Sequence, residues 1–261
     1  MSHEIAAEIQ TDGVPGAWDV ALCYEATAQE ILWLQVGGDG LSVAYTQADG
    51  QVLMQSYDAG WQGILALDRL TLRVSAGTAR CHHISPGYFT KMLAFFDEAQ
   101  KTHQPYDVTQ PMIASLIVDT QMLPERRVLE LWFQGNLFNP SPEFHVFMAL
   151  LRRTEGYFLI RFLLSQSEIG GSLREFCTSY GVSYSHFRRL CQQALGGAIK
   201  GELRAWRMAR SLLDTLDGQQ SLTDVALQNG YASSSHFSNE IKGFLGVSPR
   251  SLSNILGMVA K

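Results

Sequence analysis

The sequence predicts an α+β chain: a β-rich N-terminal domain followed by helices, then an all-α C-terminal domain with two helix-turn-helix motifs joined by a linker helix. Three observations point there. Short apolar runs separated by turn residues fill residues 18–83, and a segment recurs after about 50 residues within 172–246. Charge also changes sign along the chain. Residues 1–151 hold 7 Lys/Arg against 17 Asp/Glu (net −10), and residues 152–261 hold 13 against 8 (net +5). An acidic half joined to a basic half points to a polyanionic partner for the second half alone.

Composition narrows the class further. With 261 residues the chain suits one large domain or two smaller ones, and 46% hydrophobic content excludes global disorder. No apolar run approaches the roughly 18–20 residues that cross a bilayer, so no membrane association is expected. The N-terminal MSHEIAAEIQ carries acids where a secretory signal would carry bases. Cys23, Cys81, Cys177 and Cys191 are widely spaced with no Cys-x-x-Cys pair, which suggests four reduced thiols and a cytoplasmic location.

In chain order, ILWLQV (31–36), LSVAYT (41–46), QVLMQSY (51–57) and LTLRV (70–74) read as strands of a small antiparallel sheet or barrel. Gly37-Gly38-Asp39-Gly40 and Asp49-Gly50 fall where hairpin turns are expected. Pro86 opens a helix in which Phe89, Leu93 and Phe96 recur at helical spacing. Further helices are expected over 112–118, 124–134, 142–153 and 157–166, with Pro142 suited to a first turn. Residues 1–166 are expected to form an N-terminal domain, β-rich over 18–83 and helical over 86–166, whose net acidity suits a regulatory or partner-binding role. SEIGG (167–171) is the expected linker to a DNA-binding domain over 172–261.

Within that domain, SLREFCTSYGVSYSHFRRLCQQALG (172–196) matches SLTDVALQNGYASSSHFSNEIKGFLG (221–246). Leu173/Leu222, Cys177/Ala226 and Gly181/Gly230 lie 49 positions apart; His186-Phe187/His236-Phe237 and Leu195-Gly196/Leu245-Gly246 lie 50 apart. Each copy opens with a capping pattern, Ser172-x-x-Glu175 or Ser221-x-x-Asp224. A short helix then stops at Gly181 or Gly230, where a left-handed φ is needed, and Ser183 or Ser233 reopens a second helix. Helix, glycine turn, helix is the helix-turn-helix arrangement. Phe187, Leu190 and Cys191, with Phe237, Ile241 and Phe244, form the apolar faces expected in the core.

The opposite faces carry Ser185, Arg188, Arg189 and Gln192 in the first copy, and Ser234, Ser235, Ser238, Asn239 and Lys242 in the second. Arg, Gln and Asn form paired hydrogen bonds with base edges, and Ser contacts bases or phosphates. These residues are the base-reading candidates, with Lys242 assigned to phosphate. Between the copies, residues 201–216 form a helix with an expected stripe of Leu203, Trp206, Ala209, Leu213 and Leu216. A rigid linker would set both reading helices in neighbouring major-groove segments, about 34 Å apart. Arg204, Arg207 and Arg210 suit phosphates or structural pairs with acids such as Glu202 and Asp214. Ser248-Pro249-Arg250 starts a last helix, placing Arg250 among the phosphate candidates.

The second copy, A-x-x-x-G-Y-x-S-x-x-H-F-x-x-x-I-K-x-x-L-G-V-S-P from Ala226 to Pro249, resembles the signature of AraC/XylS transcription regulators. It departs from that signature at Ile241, where Phe is common, and at Leu252-Ser253, where Tyr-Arg often ends the pattern. The resemblance implies that Ser185 and Arg189 take base-contact places in the first module, and Ser234, Ser235 and Ser238 in the second. LWFQGNLFNPSPEF, MALLRRTEGYFLIRFLLSQS, YGVSYSHFRRLCQQALGG and WRMARSLL resemble, more narrowly, the invasion-gene activators of enteric type III secretion systems, the InvF/YsaE/MxiE branch. That branch implies a virulence-linked activator that works with promoter DNA, RNA polymerase and a tetratricopeptide-type secretion chaperone as co-activator. A homodimer stays open.

Other classes were weighed. The chain holds no Gly-x-Ser-x-Gly, phosphate-binding glycine loop or His-Glu-x-x-His, so no enzyme, catalytic residue or cofactor is expected. His82-His83 beside Cys81 suggests a metal only weakly, because neighbours on a strand face opposite ways. A small-molecule sensor is the alternative, with Trp18, Trp33 and Trp61 either lining a pocket or packing a core. A helix-turn-helix repeat serving only protein contacts is a third reading.

Overall fold

In the computed structural model, which describes residues 16–18, 23–47, 50–100, 113–118, 125–169, 172–249 and 251, two strands of unusual length organise the N-terminal half. Strand β1 is Gly16–Trp18, β2 Cys23–Thr46, β3 Val52–Tyr57 and β4 Gln62–Ile84. β2 and β4 have 24 and 23 residues because each bends and pairs antiparallel with the other along both edges. Residues 31–35 of β2 meet 62–66 of β4 on one side and 80–84 on the other. The sheet order is β1-β4-β2-β3, with β5 (Ile113–Ile117) also on β4. Leu32, Leu34, Val43, Tyr45, Leu65, Leu72, Val74 and Cys81 fill the space between the curved strands.

Burial along these strands tracks what covers each face. Ile31 to Leu34 and Gly63 to Asp68 are buried continuously, the pattern of strands covered on both sides. The inner face packs into the strand core, and Phe147, Leu150 and Leu151 lie against Ile31, Ala66 and Leu67. Trp33 is fully buried and Trp61 is half-buried with its ring 4.7 Å from Tyr57, so both are packing residues. The Trp18 side chain lies outside the described residues. Cys81 is buried, His82 half-buried and His83 exposed, with His83 Nδ1 3.8 Å from the Glu30 carboxylate.

Two expectations are corrected here. Gly37-Gly38-Asp39-Gly40 is not a hairpin turn but part of β2. At Gly40 and Gly77 (φ 73° and 84°) the strands approach so closely that a Cβ at Gly77 would stand 1.9 Å from the Gly40 carbonyl oxygen. The glycine there permits backbone contact rather than chain reversal. The other expected turn does close a hairpin, with the Gly50 N–H donating to the Gln47 carbonyl at 2.9 Å; Asp49 lies outside the described residues. The second correction concerns the helix expected over 112–118: Met112 lies outside the described residues, and Ile113–Ile117 is strand β5 instead. Its Ala114 and Leu116 point inward and Ile117 is 77% exposed, a period of two that antiparallel pairing with 63–67 imposes.

Helices α1 (Gly87–Ala99), α2 (Arg126–Leu137) and α3 (Pro142–Arg152) pack through Phe89, Phe133, Phe144 and Phe147. Phe89 lies 5.1 Å from Phe133 and 5.4 Å from Phe147, in tilted and edge-on arrangements. Ser141 caps α3 by accepting from the Phe144 N–H, with Pro142 in the first turn. Two ion pairs to buried carboxylates lock the end of α3. Arg153 donates to Asp68 of β4 at 3.1 Å, and Arg152 grips both oxygens of Asp97 of α1 at 2.8 Å. The Tyr157 hydroxyl donates to the same Asp97 carboxylate.

Helix α4 runs from Glu155 to Ile169, so the first three residues of the expected SEIGG linker are helical; nothing there breaks a helix before Gly170. Gly170 and Gly171 lie outside the described residues. The chain divides into two compact units within α4, Met1–Phe158 and Leu159–Lys261, upstream of that linker. The second unit adds α5 (Leu173–Tyr180), α6 (Tyr184–Leu195), α7 (Ile199–Asp217), α8 (Leu222–Gln228) and α9 (Ser234–Leu245). Phe162 of α4 stacks edge-on to Tyr180 of α5 at 5.0 Å and to Phe187 of α6 at 6.4 Å. Among the described residues, no helix is long and apolar enough to cross a membrane.

Candidate nucleic-acid interface

The two modules are built on the caps that their sequence carries. Ser172 Oγ accepts from the Glu175 N–H while Glu175 accepts from the Ser172 N–H, a complete capping box at α5. That backbone hydrogen bond holds the Glu175 carboxyl below its usual range. In the second module Ser221 caps α8 in the same way, but the shorter Asp224 accepts from the Ser221 hydroxyl. Gly181 closes α5 at φ 80°, and Gly230 follows the Asn229 cap of α8 at φ 73°. Ser183 and Ser233 each accept from the N–H three residues on, starting α6 and α9. Cys177 and Ala226 are both buried where their helices cross.

On α6, Phe187, Leu190 and Cys191 face inward, and Ser185, Arg188, Arg189 and Gln192 are all exposed. Burial pushes the Cys191 thiol up to about 12. Arg188 lies over the Tyr184 ring at 5.9 Å, and Arg189 donates to His186 Nδ1 at 2.7 Å. Two guanidinium groups therefore stand on the solvent face, one of them oriented by a neighbour one turn away. On α9, Ser235, Asn239 and Lys242 are exposed, while Ser234 and Ser238 are half-buried. Phe237 and Ile241 are fully buried, but Phe244, expected in the core, is 69% exposed. It lies a full turn beyond the last inward position of α9, where no described element covers the helix.

Helix α7 also departs from expectation. Trp206 is buried and Leu203 half-buried, but Ala209, Leu213 and Leu216 are exposed. The buried positions are instead Met208, Ser211 and Thr215. Ser211 and Thr215 donate to the carbonyls of Arg207 and Ser211, each four residues back, so their hydroxyls enter the core already satisfied. Small side chains on this face let α7 pack against α8, and Asn229 ties the two by donating to Asp214 at 2.7 Å.

The linker arginines have a protein partner that the sequence reading passed over. Glu240 of α9 is buried and faces Arg204 Nε at 3.2 Å and Arg207 Nη2 at 3.5 Å. Of the acids expected in that role, Glu202 accepts from Trp206 Nε1 and Asp214 from Asn229. Arg207 is half-buried and its guanidinium lies 4.5 Å over the Tyr231 ring; Arg204 is 65% exposed. A signal existed: Glu240 sits between Phe237 and Ile241 on the inward arc. Arg250, Leu252 and Ser253 lie outside the described residues, although Ser248 accepts from the Ser251 N–H as a cap would. Among the described residues, no group of three or more His, Cys, Asp or Glu side chains is placed to hold a metal ion.

Comparison with known proteins places this arrangement. A helix-turn-helix domain family matches residues 176–254, which take in most of the first motif and all of the second. Over 172 residues the chain is 45% identical to the invasion protein InvF of Salmonella typhi, spanning 66% of this chain and 80% of that one. It is 46% identical over 116 residues to the transcriptional regulator MxiE of Shigella flexneri, spanning 44% and 55% of the two chains. A structure of ToxT from Vibrio cholerae aligns with 94% of this chain and 97% of that one at 12% identity and a TM-score of 0.35, too loose to bear on the fold. On the match to InvF and the paired helix-turn-helix motifs, the chain belongs to the AraC-type family of transcription regulators that includes InvF and MxiE.

Proposed function

We propose that this protein is a cytoplasmic transcription activator that reads promoter DNA of type III secretion or effector genes through residues 172–257. The observation that carries the reading is the exposed face of α6, where Ser185, Arg188, Arg189 and Gln192 stand together on a capped, well-packed helix. Arg189 and Gln192 suit bidentate contacts to base edges. The second module offers Ser234, Ser235, Ser238 and Asn239, short side chains that add affinity more than discrimination. Lys242 and the helix N-termini serve the phosphates, as would Arg250.

Residues 1–166 control activity through a protein partner, a tetratricopeptide-type secretion chaperone acting as co-activator before RNA polymerase. The net charge of −10 over residues 1–151 keeps that half away from DNA. The interior of the strand core is occupied by side chains, including Tyr45 and Tyr57 with their hydroxyls 2.9 Å apart. That packing gives no support to a small effector held inside the strands.

Selection of bound fragments from genomic DNA, followed by affinity measurement at two salt concentrations, tests the DNA reading. A preferred sequence whose affinity falls steeply between about 50 and 200 mM salt supports it. Absence of any preference favours a protein-interaction module instead. Co-expression with candidate chaperones and assay of promoter output tests the partner, and full activation by this protein alone would count against it.

A further inference from the structure

We propose that Glu240 sets the salt-dependent affinity of the second module: its buried carboxylate withholds the linker-helix arginines from the DNA backbone. The inference rests on the DNA-binding reading above. Glu240 lies on α9, the helix that presents Ser235 and Asn239 outward, yet its own side chain is only 5% exposed. Four groups surround it. Arg204 and Arg207 approach from α7, His236 Nε2 stands 3.8 Å away one turn earlier on α9, and the Tyr231 hydroxyl donates at 3.4 Å.

Packing alone does not require an ion pair here, because apolar side chains that replace both partners of a buried pair often leave stability unchanged. What the carboxylate does is set the charge that α7 shows to a duplex. Each cation free to neutralise a phosphate adds about 0.9 to the slope of log affinity against log salt, whatever the base sequence. Such contacts raise binding to every duplex alike, so they set affinity and its salt dependence and leave the ratio between sites unchanged. Arg207, pinned between Glu240 and the Tyr231 ring, is removed from that pool. Arg204, with an exposed guanidinium, is restrained by the same carboxylate. Glu240 thus ties α9 to the linker helix and keeps indiscriminate affinity low.

The test uses the full chain and measures affinity against salt on the preferred site and on an unrelated duplex. In Glu240→Gln, which keeps the shape and one acceptor oxygen, the slope on the unrelated duplex should steepen by about 0.9 to 1.8. The ratio of preferred to unrelated affinity should stay unchanged, because the gain is the same on both duplexes. Arg204→Gln should reduce the slope more in the Glu240→Gln background than in the wild-type chain. Where Glu240→Gln does not fold, Glu240→Met supplies an apolar replacement of similar length, and the same steepening is expected. An unchanged slope in a folded variant would overturn the proposal, and so would equal effects of Arg204→Gln in the two backgrounds. Failure of both variants to fold would make Glu240 a folding residue only. A wild-type chain that binds no DNA rejects the functional reading itself, a different outcome from any of these.

Discussion

Arg189 carries the sharpest single-residue expectation. Its side chain is exposed on α6 and braced by His186, so its rotamer freedom is already reduced before it meets a base. Arg189→Ala is expected to cost about 1–3 kcal/mol at the preferred site and to relax base choice at one position. A binding selection that returns an unchanged preference would remove Arg189 from base reading. Phe237 poses the opposite case. It is fully buried, and Phe237→Ala should destabilise the second unit by about 3–5 kcal/mol in a denaturant titration. Loss of DNA binding with unchanged unfolding would contradict that burial. The thiols give a third check. Cys23 is exposed, whereas burial pushes Cys81 and Cys191 up to about 12 and raises Cys177. At neutral pH the thiolate fraction of those three is low, so an alkylating reagent should label Cys23 rapidly and the others only on unfolding. Residues whose role depends on neighbours within one turn, such as Ser172, Gly181 and Ser183, were legible in the sequence. Glu240 was not, since its partners at 204 and 207 lie more than 30 residues away and only packing joins them.

At the scale of elements, local chemistry was readable and tertiary covering was not. The repeat, its caps and its glycines located α5, α6, α8 and α9 because those signals act within one or two turns. The face of α7 was misassigned for a physical reason: leucines define the apolar stripe, but hydroxyls satisfied by their own helix made Ser211 and Thr215 suitable for close contact. The same limit applies to β2, where glycines that look like a turn serve a close approach between strands. The end of α3 supplies an element-scale test. Arg153 and Asp68 are both buried and paired at 3.1 Å, so Arg153→Met leaves the interior carboxylate to Gln29 at 2.7 Å and the exposed Arg69 at 3.2 Å. About 3–5 kcal/mol of stability should be lost from the N-terminal unit. Restoration by the double change to Arg153→Met with Asp68→Leu would show that the loss comes from the stranded charge. If the single change melts like the wild-type chain, the pair contributes little there.

For the whole molecule, the division of charge between the halves was the sequence signal that mattered most. It separates an acidic half from a basic half suited to DNA, and the boundary within α4 lies close to the change of sign. The long-range pairing of β2 with β4 was not legible, because strand register over about 40 residues is set by closure of the sheet rather than by neighbouring residues. The central claim is that one chain holds two reading helices on a rigid linker and fits them to consecutive turns of a duplex. Footprinting of the full chain on its selected site tests this most directly. The account expects two protected major-groove segments about one helical turn apart, roughly 10 base pairs, with Arg189→Ala relaxing sequence in only one of them. A single protected segment, or two whose spacing varies freely between sites, would contradict it.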